Sequence, residues 1–324
     1  MIPVLSVRGL EKRFGAVVAA DALTLDIPAG QRLSLIGANG AGKTTFVNMV
    51  TGYLKPDSGS ILLDGTDIGK HAPRRVAQLG ISRSFQIPQL FVELTAAENL
   101  AVAVSGIGPR MSLRAPAEAQ GRRGKSVELL ERFGLADLAD RPVSELAGGV
   151  RKLIDIAMAL VRRPRLLLLD EPTSGVSAEE KFATMDRVIH AVAPDAATIV
   201  FVEHDMEIVS RYADRVVAFY QGRILADGVP AEVLNNQEVR RYVTGGSDEH
   251  RSAPARHRQS CRRDPVDAGI ARIYDVRRET RHGQPGGAQR RGQDDADACD
   301  HGTPRTGPRH RAVRRQRSGP PPAP

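Results

Sequence analysis

Three short segments of this chain carry residue types suited to chemistry on a phosphate chain. Residues 37–45 read G-A-N-G-A-G-K-T-T. Gly37, Gly40 and Gly42, separated by Ala38, Asn39 and Ala41, let successive backbone N–H groups converge on an anion without Cβ clashes. Lys43 supplies a mobile positive charge for the β- and γ-phosphates, and the Thr44 hydroxyl, followed by Thr45, is a ligand for Mg²⁺. Residues 165–172, R-L-L-L-L-D-E-P, end an apolar run in two acids. Asp170 is placed to hold Mg²⁺ through water, and Glu171 to polarise the attacking water; phosphoryl transfer asks mainly for positioning and charge stabilisation. Residues 197–205, A-T-I-V-F-V-E-H-D, again end an apolar run in polar residues. A lone histidine is more often structural than functional. His204, however, follows a run that reads as a parallel strand, and ligands bind at the carboxyl edge of such strands. There a neutral imidazole can hydrogen-bond a γ-phosphate or the attacking water.

These side chains need a scaffold that brings distant segments to one edge. Residues 32–36 read as a buried strand before the glycine-rich loop, and a helix is expected over 44–52. The runs at 165–170 and 197–203 read as further buried parallel strands. Residues 4–7 and 22–27 alternate like antiparallel strands, with a stop at Pro28-Ala29-Gly30. Between the glycine loop and the acidic pair, Gln86 ends a strand-like stretch that Pro88 breaks. Helical spacing follows at 96–104 and 127–133. Residues 106–124 are rich in Gly, Pro, Ser and Arg and are expected to be a loop. Leu146-Ala147-Gly148-Gly149-Val150 then precedes an amphipathic helix expected from Arg151 to Val161.

The phosphate loop, Gln86, L-A-G-G-V, L-L-L-L-D-E-P and His204, in that order, resemble the ATP-binding cassette (ABC) ATPases over roughly residues 3–246. The resemblance implies an α/β P-loop NTPase fold: a RecA-like core, an antiparallel β subdomain and an inserted α-helical subdomain at about 88–163. It implies ATP and Mg²⁺ as ligands. Phe14 would stack on adenine, and Gln86 would sense Mg²⁺ and couple to a membrane partner. Leu146, Ala147, Gly148 and Gly149 would bind the γ-phosphate held by a second ATPase subunit. Three residues depart from the family pattern: Ala147 and Val150 replace the serine and glutamine of its signature, and Ser177 stands where a carboxylate is usual. Losing the hydroxyl removes one charge-assisted hydrogen bond, ~1–3 kcal/mol. The runs S-R-S-F-Q at 82–86 and L-F-V-E-L-T-A-A-E-N-L at 90–100 resemble the ATPases of branched-chain amino acid importers. So do V-E-H-D-M at 202–206 and the segment 235–245. Urea and amide importers and a lipopolysaccharide-export ATPase share parts of this pattern. The implied partners are a second ATPase subunit, two membrane permeases and, indirectly, an extracytoplasmic solute-binding protein. The implied location is peripheral, at the cytoplasmic face of the bacterial inner membrane. A soluble ABC ATPase acting on nucleic acid or ribosomes would usually carry two cassettes or a long coiled coil; one cassette and no sustained heptads are seen here, so no nucleic-acid partner is expected.

Composition narrows the field further. The chain has 324 residues, with Lys+Arg 46 against Asp+Glu 38. Residues 251–324 hold 17 Arg, no Lys and 8 acids, so residues 1–250 are nearly neutral, with 29 basic and 30 acidic residues. The basicity therefore says nothing about partners of the body. Both cysteines, Cys261 and Cys299, also lie beyond residue 250, which excludes a disulfide scaffold. No apolar run approaches the ~18 residues of a membrane span, and the first residues show no secretory leader. Residues 251–324 lack Leu, Phe, Met and Trp, so the tail at 247–324 is expected to be disordered. Read one nucleotide later, the possible codons for 285–296, P-G-G-A-Q-R-R-G-Q-D-D-A, allow L-x-G-R-N-G-A-G-K-T-T-L. The tail is accordingly expected to be an out-of-frame translation of a related ATPase gene.

Overall fold

The computed structural model describes residues 3–105 and 116–243, with backbone only at Ser105 and over 116–120, and all of them belong to the unit Met1–Ser252. The tail at 247–324 and the first part of the expected loop, 106–115, lie outside the described residues.

The chain opens with β1 (Leu5–Phe14), β2 (Val17–Ile27), β3 (Arg32–Gly37), α1 (Lys43–Val50), β4 (Ser58–Leu63), β5 (Thr66–Asp67), α2 (Pro73–Leu79) and β6 (Ile81–Ser84). It continues with α3 (Ala96–Ser105), α4 (Pro116–Arg132), α5 (Gly148–Leu160), β7 (Leu166–Asp170), α6 (Lys181–Val192) and β8 (Thr198–Val202). The described residues end with α7 (Met206–Tyr212), β9 (Arg215–Tyr220), β10 (Arg223–Gly228), α8 (Pro230–Asn235) and α9 (Gln237–Tyr242). An antiparallel sheet runs β2-β1-β4-β5, and a six-stranded sheet runs β10-β9-β3-β8-β7-β6. The latter is parallel from β9 to β6, with β10 antiparallel at its edge.

The apolar runs seen in sequence are continuous because both faces of this sheet are covered. Side chains alternate between faces along each strand. On β7 and β8, Leu167, Leu169, Ile199 and Phe201 join one buried cluster, while Leu166, Leu168, Val200 and Val202 join another. The first cluster includes Leu130, Ile154, Ala157 and Val188 from α4, α5 and α6. The second includes Phe46 and Val50 of α1 and Leu5, Val7, Leu25 and Ile27 of the antiparallel sheet. Parallel strands β3, β8 and β7 consequently end side by side, and the phosphate loop, Asp170 and His204 all leave from that edge.

Several boundaries differ from the sequence expectation. Strand β1 runs through Gly9 to Phe14, because Gly9 takes φ +55° at a register shift and the ladder resumes beyond it. Helix α1 starts at Lys43 and ends at Val50. The loop expected to reach residue 124 is helical from Pro116, with Gly121 and Gly124 inside α4. Burial of Ser126, Leu129 and Leu130 on the next turns outweighs the glycine penalty of ~1 kcal/mol each. Helix α5 begins at Gly148 rather than Arg151, with Ala147 as its N-cap, so both signature glycines lie in its first turn.

Candidate nucleotide site

The phosphate loop is built by the turn from β3 into α1. Gly42 takes φ +107°, and a Cβ there would stand 2.5 Å from the Ala19 carbonyl oxygen. That close approach to β2 brings the antiparallel sheet against the loop. A Cβ on Gly37 would likewise stand 2.6 Å from the Phe219 carbonyl oxygen. Gly40 departs from the expectation that every glycine of the loop averts a Cβ clash. It lies exposed at the loop tip, and a Cβ there would meet nothing of this chain within 4 Å. What favours glycine at Gly40 is its left-handed backbone, φ +79°, and not crowding by neighbours. Helix α1 has no side-chain cap and no acid in its first turn, so its leading N–H groups and positive end remain for an anion. Lys43 is only 6% exposed; its Nζ donates to the carbonyls of Gly37 (2.5 Å) and Ala38 (3.1 Å). Burial lowers its pKa, and the nearby charges of Glu171 and Asp170 act in the opposite sense. The ammonium therefore already lies in the field of both acids.

Glu171 is the hub of the opposite wall. Its Oε2 accepts from Gln86 Nε2 at 3.0 Å, and its Oε1 lies 3.2 Å from His204 Nε2. Glu171 also takes φ +47°, a left-handed conformation unusual for a non-glycine residue and costing ~1–3 kcal/mol. Its N–H donates to the Val202 carbonyl at 3.0 Å, which holds the turn against β8. His204 is fixed from the other side, because Asp205 caps α7 through the Glu207 N–H and pairs with Lys181 at 2.9 Å. Glu203, buried beneath it, accepts from the Thr173 N–H (3.0 Å) and hydroxyl (2.7 Å), tying the two loops together. Burial raises the Glu203 pKa against those hydrogen bonds.

Asp170 accepts from Arg83 Nη2 at 2.6 Å, and Arg83 Nη1 donates to Asn48 Oδ1 of α1 at 2.6 Å. Arg83 also lies 5.2 Å from the centre of the Phe85 ring. This bridge between α1 and the acidic pair is not legible in sequence: Arg83 lies in the S-R-S-F-Q run, but nothing there points to Asn48 or Asp170 as its partners. The Thr44 hydroxyl, the Asp170 carboxylate and the Gln86 amide are oxygen donors of the kind Mg²⁺ takes. Among the described residues no group of three or more His, Cys, Asp or Glu could hold a metal alone.

Phe14 ends β1 as a residue 43% exposed, with Lys12 Nζ 5.8 Å from its ring centre. Leu146 is buried, and Val150 packs on the core. Added Cβ atoms on Gly148 and Gly149 would meet Gly175 and Val176, so within the chain these glycines face the turn after β7, not the phosphate loop.

Sequence reasoning also passed over Lys152 and Asp155, charged residues buried on α5. Their one signal is their place in the apolar stripe with Ile156. Asp155 accepts from the N–H groups of Phe85 (3.1 Å) and Gln89 (3.2 Å). Burial pushes its pKa up to about 6, with those hydrogen bonds and Lys152 pulling down. Raised above its ordinary 3.8, the group favours folding in acid, and that contribution disappears as pH rises through 6. Relative to Asp155→Asn, the wild type should lose ~1.4 kcal/mol of unfolding free energy between pH 5 and 7.5. Urea melts at both pH values measure this; a difference that does not change with pH would disprove it.

A phosphate-binding turn, a neighbouring carboxylate pair and a histidine at one edge of a parallel sheet define a P-loop nucleoside-triphosphatase site. The sequence profile described as ABC transporter matches residues 20–174. The chain is 38% identical over 253 residues to the high-affinity branched-chain amino acid transport ATP-binding protein LivG of Escherichia coli K12. That match covers 75% of this chain and 98% of the relative. BraF of Pseudomonas aeruginosa, described in the same words, is 34% identical with the same coverage. A solved structure of MJ1267, an ATP-binding cassette of an ABC transporter, superposes with TM-score 0.66 at 32% identity, covering 74% of this chain and 98% of that one. The chain belongs to the ABC transporter ATPases, and it is an ATP-hydrolysing subunit of such a transporter. Among the described residues no helix is long and apolar enough to cross a membrane.

Proposed function

We propose that this chain is the ATPase subunit of an importer for branched-chain amino acids, working at the cytoplasmic face of the membrane. The observation that carries this reading is a 38% match spanning 98% of a relative named for that transport. It acts in a pair with a second ATPase subunit, beneath two permeases that receive solute from an extracytoplasmic binding protein. Phe14 stacks on adenine, the loop at 37–45 and Lys43 grip the phosphates, and Thr44, Asp170 and Gln86 hold Mg²⁺, which supplies charge neutralisation at the phosphates. Within that loop Gly40 contributes a backbone N–H at the exposed tip. Glu171 polarises water, and His204 orients it or the γ-phosphate. Residues 146–149 reach the partner's ATP, so ATP favours the closed pair and hydrolysis reopens it. No part of this cycle is assigned to residues 247–324.

The test is uptake into proteoliposomes holding this chain with candidate permease and second-ATPase subunits from the same organism. ATP-dependent leucine, isoleucine or valine uptake is expected. Uptake of urea or amides with none of those three would replace the substrate, and solute efflux would replace the direction.

A further inference from the structure

Helix α5 buries a lysine that the ATP site does not account for. Lys152 is 1% exposed, a rare place for an ammonium. Removing such a charge from water costs several kcal/mol unless its protons are satisfied. Here each of its three protons has an acceptor. Nζ donates to the carbonyls of Phe85 (2.6 Å), Gln86 (3.3 Å) and Asp170 (2.7 Å). A leucine would fill the same apolar stripe without that cost, so filling space does not explain the residue.

The acceptors belong to two segments far apart in sequence. Phe85 and Gln86 start the segment after β6, and Asp170 ends β7. One turn later on the same helix, Asp155 takes the N–H groups of Phe85 and Gln89. One face of α5 thus holds the Gln86 segment by both its donors and its acceptors. Across the gap, the Gln86 side chain donates to Glu171, the residue that follows Asp170 in the chain. Lys152 therefore grips the backbone on both sides of the Gln86–Glu171 contact. The helix that does so starts at Gly148, one turn before Lys152, where it packs against the turn at Gly175 and Val176. An open pocket of about 350 Å³ lies beside this junction, lined by Gln86, Ile87, Gly148 and Lys152.

We propose that Lys152 is a positioning residue. It locks the Gln86 segment and the end of β7 to α5, so that the N-terminal turn of α5 and the Glu171 carboxylate change position together. The inference rests on the assignment of Glu171 above and adds the lever that moves it.

Lys152→Met keeps the length and the apolar packing and removes all three donors. In the assembled transporter it should lower kcat for ATP ~10- to 100-fold. The KM for ATP, and ATP affinity of the chain, should stay within ~3-fold because the phosphate loop is untouched. Amide hydrogen exchange at Phe85 and Gln89 should quicken at least ~10-fold while α6 and α7 keep their protection. An unchanged kcat, a KM that rises as kcat falls, or unaltered exchange at Phe85 and Gln89 would each overturn the proposal. If Lys152→Met does not fold, wild-type exchange decides. The amides of Phe85 and Gln89 should open with the same free energy as residues 151–153 of α5, with and without ATP; independent opening overturns it. A wrong assignment of Glu171 would show separately, as normal turnover by Glu171→Gln.

Discussion

Glu171→Gln should lower steady-state ATP turnover by ~10²- to 10⁴-fold while ATP binding survives. That range is the contribution of a positioned general base, equivalent to ~2.7–5.4 kcal/mol of barrier. The substitution is informative because the geometry persists. Glutamine keeps one oxygen for the Gln86 Nε2, which donates to Glu171 at 3.0 Å. It offers an amide toward His204 Nε2, now 3.2 Å from the carboxylate, where a neutral ring of the other tautomer can accept. The left-handed backbone at φ +47° is as costly for glutamine as for glutamate, so stability should barely change. What disappears is the negative charge proposed to polarise water beside Mg²⁺ and the phosphates. Phosphate release gives the rate, and fluorescence titration with labelled ATP gives the affinity. The ATP-bound pair should accumulate, because closure outlasts the lost hydrolysis step. A fall in rate of less than tenfold would remove Glu171 from the role assigned to it.

Lys43→Ala is the second large effect, and it falls on affinity. In this structure the ammonium braces the loop through the Gly37 and Ala38 carbonyls. With nucleotide, the same three donors can turn to the β- and γ-phosphates. Charged hydrogen bonds are worth ~1.5–3 kcal/mol each, so two of them amount to at least ~100-fold in Kd. Stability moves differently. Burial disfavours the charged lysine, so its removal relieves that cost while orphaning two carbonyls. At an ATP concentration ~100 times the wild-type Kd, ligand stabilisation should drop from ~2.7 to ~0.4 kcal/mol, read as loss of the ATP-induced rise in Tm. Lys43→Met, which keeps the stem packed, should lose the same affinity. If either variant retains the ATP-induced rise, phosphate binding does not depend on this side chain.

Much of the ATP site can be read directly from the residues. The loop at 37–45 is proposed to bind phosphate through contiguous backbone N–H groups, and its glycines are demanded for two different reasons. Gly42 combines φ +107° with a neighbour 2.5 Å from where a Cβ would be, whereas Gly40 is held to glycine by φ +79° alone. The apolar runs ending in Asp170 and His204 announce strands whose polar tips share one edge, because burial on both faces makes such runs uninterrupted. Local glycine content, by contrast, misled at residues 116–124, where packing of Leu129 and Leu130 extends α4 backward. It misled again at α5, whose first turn takes in Gly148 and Gly149.

The amino-acid sequence by itself determined which residue types stand in the phosphate loop, the acidic pair and the histidine turn, since each is a short contiguous stretch at the end of an apolar run. Only the tertiary structure decided their partners. Gln86 and Glu171 meet across 85 residues, Arg83 and Asp170 across 87, and Lys152 reaches Phe85 across 67. Those meetings depend on β6, β7, β8 and β3 lying side by side and on α5 packing against β6 and β7. No periodicity encodes that order, because it is set by which faces bury most completely when the whole chain packs.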